Sequence, residues 1–97
     1  MLEDPDVWVD EGGHYHAVFH RGTGCTVPWV CVGYAFSLDD KTWHYPFVNG
    51  SVAAGWNAST VDGGMLVFNR RERPHIVLGK DGVTPVALTN GVRIVSN

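Results

Sequence analysis

Glu3-Asp4-Pro5-Asp6-Val7-Trp8-Val9-Asp10 and Glu72-Arg73-Pro74-His75-Ile76-Val77-Leu78 open with the same spacing, and the fold turns on whether they are two copies of one unit. A shift of 69 residues lays Glu3 on Glu72, Pro5 on Pro74, Val7 on Ile76 and Val9 on Leu78. The same shift lays Gly13 on Gly82 and Phe19 on Leu88. Each copy is Glu-x-Pro, a short apolar run, a glycine turn and a second apolar run, which is the pattern of a β-hairpin. Two unrelated hairpins would read the same way, because strand–glycine–strand units are common.

Outward from the first copy, the break at Glu11-Gly12-Gly13 separates residues 6–10 from a β-prone run at 14–20. Residues 30–37 make a third strand, Leu38-Asp39-Asp40-Lys41 a turn, and Thr42-Trp43-His44-Tyr45 the start of a fourth. The expectation is a four-stranded antiparallel meander over roughly residues 6–48. Residues 46–60 lack periodicity and read as a connection. Hairpins follow around Asp62-Gly63-Gly64 and around Gly79-Lys80-Asp81-Gly82, and no helical stripe of useful length is present. The predicted class is all-β, with antiparallel meanders forming partial β-propeller blades at about 3–48 and 59–97 of a single domain. A repeat of this length with four strands per unit suits a propeller with long loops. The second copy is short, so about one and a half blades are expected here. The remaining blades are expected from a longer chain or from self-association.

Composition agrees with a small globular unit. The chain has 97 residues, 44% hydrophobic and 18% charged, which disfavours a disordered chain. Four Trp, three Tyr and four Phe with 12 Gly and five Pro suit short strands and many turns. A net charge of −3 argues against a general nucleic-acid binder. No apolar run approaches the roughly 20 residues of a membrane helix, so no membrane partner is expected. The opening Met1-Leu2-Glu3-Asp4-Pro5-Asp6 is acidic and carries no secretory h-region.

The first copy, followed by Gly13-His14-Tyr15-His16-Ala17, resembles the blade-opening motifs of five-bladed propeller glycoside hydrolases, glycoside hydrolase family 43 and its relatives. Ser37-Leu38-Asp39-Asp40-Lys41-Thr42-Trp43 resembles their Ser-x-Asp-Gly-x-x-Trp turn, with Asp40 where glycine is usual. Arg70-Arg71-Glu72-Arg73-Pro74-His75 resembles a later blade of the same superfamily. The likeness spans most of residues 3–92. It implies a carbohydrate substrate and hydrolysis of glycosidic bonds. It also implies a role for Asp4 as base or as tuner of the acid, and a central ion held by a histidine, for which His20 is the match.

Glycosidic hydrolysis generally uses two carboxyl groups flanking the bond. Glu3, Asp4 and Glu72 stand at strand entrances, so Asp4 and Glu72 are the candidate catalytic pair and Glu3 a candidate substrate contact. Asp-Pro is also ordinary turn chemistry. On a regular strand Arg71 and Arg73 would share one face and Glu72 the other, offering guanidinium groups to sugar hydroxyls or to an ion pair. His14, His16 and His20 share one face of an extended run and are read chiefly as strand histidines, because no third ligand has obvious spacing. No resident cofactor is expected beyond that ion. Trp8 and Trp43 read as core, whereas Trp29 and Trp56 lie in loop-like segments where an indole can stack on a sugar. Cys25 and Cys31 are compatible with a small disulfide loop or with two thiols. Asn49-Gly50-Ser51 and Asn57-Ala58-Ser59 are glycosylation patterns that mildly favour an extracellular setting. Two further readings stand beside hydrolysis: a non-catalytic carbohydrate-binding module and a protein-interaction β module.

Overall fold

A computed structural model describes residues 2–21, 31–45, 52–55 and 57–95, with the side chains of 2, 3, 21, 52 and 53 outside the description. The described chain is all-β. Its strands are β1 (Leu2–Val9), β2 (Tyr15–Arg21), β3 (Cys31–Ser37), β4 (Trp43–His44), β5 (Val52–Ala54), β6 (Asn57–Ser59), β7 (Met65–Leu78) and β8 (Pro85–Ile94). The first sheet runs β1-β2-β3-β4, and β5 also pairs with β3. The second runs β6-β7-β8. Every pairing is antiparallel.

The turns form where an aspartate and a glycine cooperate. The Asp10 carboxylate accepts the Gly12 and His14 amides at 2.9 and 3.0 Å, and Gly13 takes a φ of +82°. The Asp81 carboxylate accepts the Val83 and Thr84 amides, both at 2.9 Å, and Gly82 takes a φ of +74°. Glycine occupies such left-handed positions without the steric cost a Cβ would impose. In the β3–β4 connection, Asp39 accepts the Lys41 and Thr42 amides at 2.9 and 2.8 Å. There the left-handed residue is Asp40, with φ +64°. Aspartate is among the few residues that tolerate the conformation.

The core lies on β2 and β3. Ala17, Val18, Phe19, Cys31, Val32 and Ala35 are buried, and Phe68 joins them from β7. Burial of neighbouring residues on both strands shows that the sheet is covered on both faces there, which explains their nearly continuous apolar text. Full burial of a Val or Phe side chain contributes about 1.5–3 kcal/mol. Gly33 is required by packing, because a Cβ at that position would fall 2.1 Å from Cε2 of Phe19. Strand β7 packs against β1, β2 and β3, so the second sheet is tied to the first through one long strand.

The two hairpins match in detail. The β1–β2 ladder is interrupted between Glu3 and Asp6, and the β7–β8 ladder between Glu72 and His75. Asp4 and Arg73 lie within those interruptions with φ of +52° and +51°. The first strands therefore keep the 69-residue shift through a shared β-bulge. The second strands align differently. Glu3 pairs with His20 and Glu72 with Gly91, while Val7 pairs with Ala17 and Ile76 with Leu88. That is a shift of 71, so Leu88 takes the place of Ala17 and not of Phe19. The turn after Leu78 is one residue longer, and a bulge at Val86 between the Val77 and Leu78 pairings adds the second residue of the difference.

Two expectations need correction. Residues 46–60 are not merely a connection, since β5 and β6 fall there. Residues 65–78 form one continuous strand instead of two separate ones, so Arg70, Arg71, Glu72 and Arg73 lie inside a ladder.

Candidate functional site

The strand entrances come first. Asp4 is exposed at the β1 bulge, and Arg73 is exposed at the β7 bulge. The bulge breaks strand alternation, so Arg71 and Arg73 do not share an environment as regular spacing predicts. Arg71 is half-buried: its Nε donates to Asn90 Oδ1 and its Nη1 to the Gly55 carbonyl, both at 2.9 Å. Its guanidinium also sits 5.2 Å from the centre of the Phe68 ring. Burial draws its pKa below the ordinary arginine value, yet an arginine stays charged. Its bonds tie β7 to β8 and to the segment before β6. Glu72 is half-buried opposite Gly91, and Arg70 lies 3.9 Å from its carboxylate. Glu3 pairs through its backbone with His20.

The two units touch at equivalent positions. Asp6 and His75 are related by the 69-residue shift. Asp6 Oδ2 lies 3.2 Å from His75 Nδ1 and accepts the Ile76 amide at 2.8 Å. The bulge residues Asp4 and Arg73 stand two residues upstream of this contact on their strands.

His20 is 1% exposed and closed to solvent ligands. Among the described residues, no group of three or more His, Cys, Asp or Glu is arranged to hold a metal ion. Trp29, Trp56, Cys25 and Asn49 lie outside the described residues. Cys31 is disulfide-bonded.

An open cleft of about 230 Å³ lies on the face of the first sheet that carries Val7, Ala17 and Ala35. Pro5, Phe19, Trp43 and Tyr45 complete its lining, and no carboxylate among the described residues belongs to it. The rings of Phe19 and Tyr45 meet edge to face at 6.2 Å. Trp43 was expected in the core. It is half-buried instead and presents part of its indole to the cleft.

The opposite face carries a hydrogen-bonded chain that spacing alone does not reveal. His16 Nε2 lies 2.7 Å from Asp10 Oδ2, and His16 Nδ1 lies 2.6 Å from the Tyr34 hydroxyl. Trp8 stacks on the imidazole at 5.1 Å. With Asp10 accepting from Nε2–H, the neutral ring accepts the Tyr34 O–H at Nδ1; a protonated ring donates at both nitrogens. The His16 bond, with help from the turn amides of His14 and Gly12, holds the Asp10 carboxyl below the usual carboxylate range. Burial raises the Tyr34 hydroxyl pKa, and the Asp10 charge adds to that. The chain orders Tyr34 as a neutral donor.

Compared with protein-family models, curated proteins and solved structures, the chain matches none of them.

Proposed function

We propose that the chain supplies blade-like units of a glycoside hydrolase-like β-propeller that cleaves glycosidic bonds of a carbohydrate, with Asp4 and Glu72 as its paired carboxyl groups. The observation that carries this reading is the contact of Asp6 with His75. Repeated units set around a common axis bring equivalent positions of their inner strands together. Here the equivalent positions meet, and each inner strand carries the same left-handed bulge just upstream. On this reading one carboxyl group protonates the departing oxygen, and the other acts as base or nucleophile. Arg73, exposed at the second bulge, is the cation nearest in register to Asp4 for binding sugar hydroxyls. The remaining blades come from a longer chain or from further copies.

The test is hydrolysis of a panel of aryl glycosides and polysaccharides by the parent protein, by Asp4→Asn and by Glu72→Gln. Each nearly isosteric change is expected to lower turnover about 10²–10⁴-fold with the fold intact. Wild-type activity in both variants overturns the assignment.

The cleft supports a second reading, non-catalytic carbohydrate binding. Trp43 and Tyr45 offer ring faces to a sugar, and no carboxylate among the described residues lines the cleft beside them. If the parent protein cleaves nothing, glycan titration followed by Trp fluorescence decides. Loss of the response in Trp43→Ala supports this reading, and no response in the parent removes it.

A further inference from the structure

Strand β8 is the outer strand of the second sheet, ten residues long, with one edge unpaired among the described residues. Long free edges are usually blunted by charge, proline or bulges. Only the start of β8 has such protection, at Pro85 and the register shift beside it. Its lone charged residue, Arg93, is engaged within the chain, donating from Nε to Asn69 Oδ1 at 2.8 Å. Val92 and Ile94 stay about half exposed, at 45% and 49%.

The phase of the free edge is readable. The Val95 amide donates to the Val67 carbonyl at 2.8 Å, so Val95 faces β7. Register irregularities between 68 and 75 place their extra residues on β7, and β8 runs regularly from Leu88 to Ile94. By alternation, residues 89, 91 and 93 also face β7. Leu88, Asn90, Val92 and Ile94 then direct their backbone N–H and C=O groups outward.

The side chains at those outward positions are symmetric about Asn90. Leu88 and Val92 stand two residues to either side. We propose that β8 pairs with β8 of a second copy of this chain, antiparallel about a twofold axis at Asn90. In that register Leu88 of one copy faces Val92 of the other, twice by symmetry. Asn90 faces its counterpart as a hydrogen-bonded pair, so every outward group at 88, 90 and 92 finds a partner. Arg93 faces Ala87, so no like charges oppose each other. The Asn90 side chain is held on its own molecule by Arg71, and it takes no part. Two three-stranded sheets become one of six strands, an isologous interface. This pairing takes the edge that a further strand of a longer chain would fill, so of the two sources of remaining blades it goes with further copies.

Light scattering with size exclusion over a dilution series, together with amide hydrogen exchange, tests it. The expected result is a dimer in which amides of Leu88, Asn90 and Val92 gain protection with concentration. Amides of Thr89, Gly91 and Arg93 are protected at every concentration. Val92→Pro removes an outward donor without touching the β7 ladder and is expected to weaken the dimer about thirtyfold, as for two symmetry-related hydrogen bonds. Val92→Lys, which sets a charge against Leu88 of the other copy, is expected to do the same and decides the matter if the proline variant does not fold. A monomer throughout, a dimer without the alternating protection, or a dimer unchanged by the variants overturns the proposal.

Discussion

Replacing Asp6 with alanine removes the contact that joins the two hairpins. The carboxylate accepts the Ile76 amide at 2.8 Å and sits 3.2 Å from His75 Nδ1. Hydrogen bonds to charged groups contribute about 1.5–3 kcal/mol, partly because the abandoned donor is left without a partner. His75 is 62% exposed at its side chain, so that pair adds only about 0.2–1 kcal/mol. The expected loss is about 2–3 kcal/mol, or a fall in Tm of about 10–20 °C for a chain of this size. Asp6→Asn is the control. Its amide oxygen keeps an acceptor for Ile76 but carries no charge, so it is expected to lose about 1 kcal/mol. Chemical denaturation of the three proteins at one fixed concentration measures both values, and hydrogen exchange at Ile76 locates the change. A stability within about 0.5 kcal/mol of the parent for Asp6→Ala would refute the reasoning. An asparagine variant as damaged as the alanine one would place the effect in the charge and not in the Ile76 bond.

The Asp81 carboxyl, which accepts from the Thr84 hydroxyl and from the Thr84 and Val83 amides, is held at about 2 against an ordinary 3.8. Its folded pKa is depressed, so its contribution is present above 3.8 and is lost as pH falls toward 2. A carboxyl ¹³C titration is expected to place Asp81 near 2 and Asp10 below the ordinary value, and midpoints near 4 would contradict this. Gly33→Ala drives a Cβ to within 2.1 Å of the Phe19 ring, so the ring must leave its packed position against Tyr45. The expected cost is about 1–3 kcal/mol by denaturation, and a neutral result would mean that the ring moves freely.

The hairpins were legible because their turn chemistry is local. Asp10 with Gly13 and Asp81 with Gly82 sit within a few residues of the amides they arrange, and Asp40 takes the left-handed place in the β3–β4 turn. Strand β5 escaped notice because three residues are too short to display a period of two, whereas the pairing of β6 with β7 was marked by the Asp62-Gly63-Gly64 turn. The bulges at Asp4 and Arg73 were invisible for another reason: a left-handed aspartate or arginine has no textual mark. This is why the expected shared face of Arg71 and Arg73 failed. The chain from Asp10 through His16 to Tyr34 depends on cross-strand register, with 18 residues between the imidazole and the phenol. No spacing rule along the chain encodes that meeting. The carboxylates Asp4 and Glu72 were chosen by likeness and by position at strand entrances, and the cleft formed instead beside Pro5, among aromatic side chains.

The bond from the Ile76 amide to Asp6 spans 70 positions of chain. A ribosome adding about 5–20 residues per second needs about 4–14 s to travel that distance. During that interval β1, β2 and β3 have emerged, but the strand that packs against all three is still being made. Val18 and Val32, almost fully enclosed in the finished protein, then face solvent or whatever binds nascent chains. The long-range closure also gives the chain a high contact order, which slows folding after release. Yield during synthesis is thus governed by how well the first sheet is kept from other nascent chains until β7 arrives.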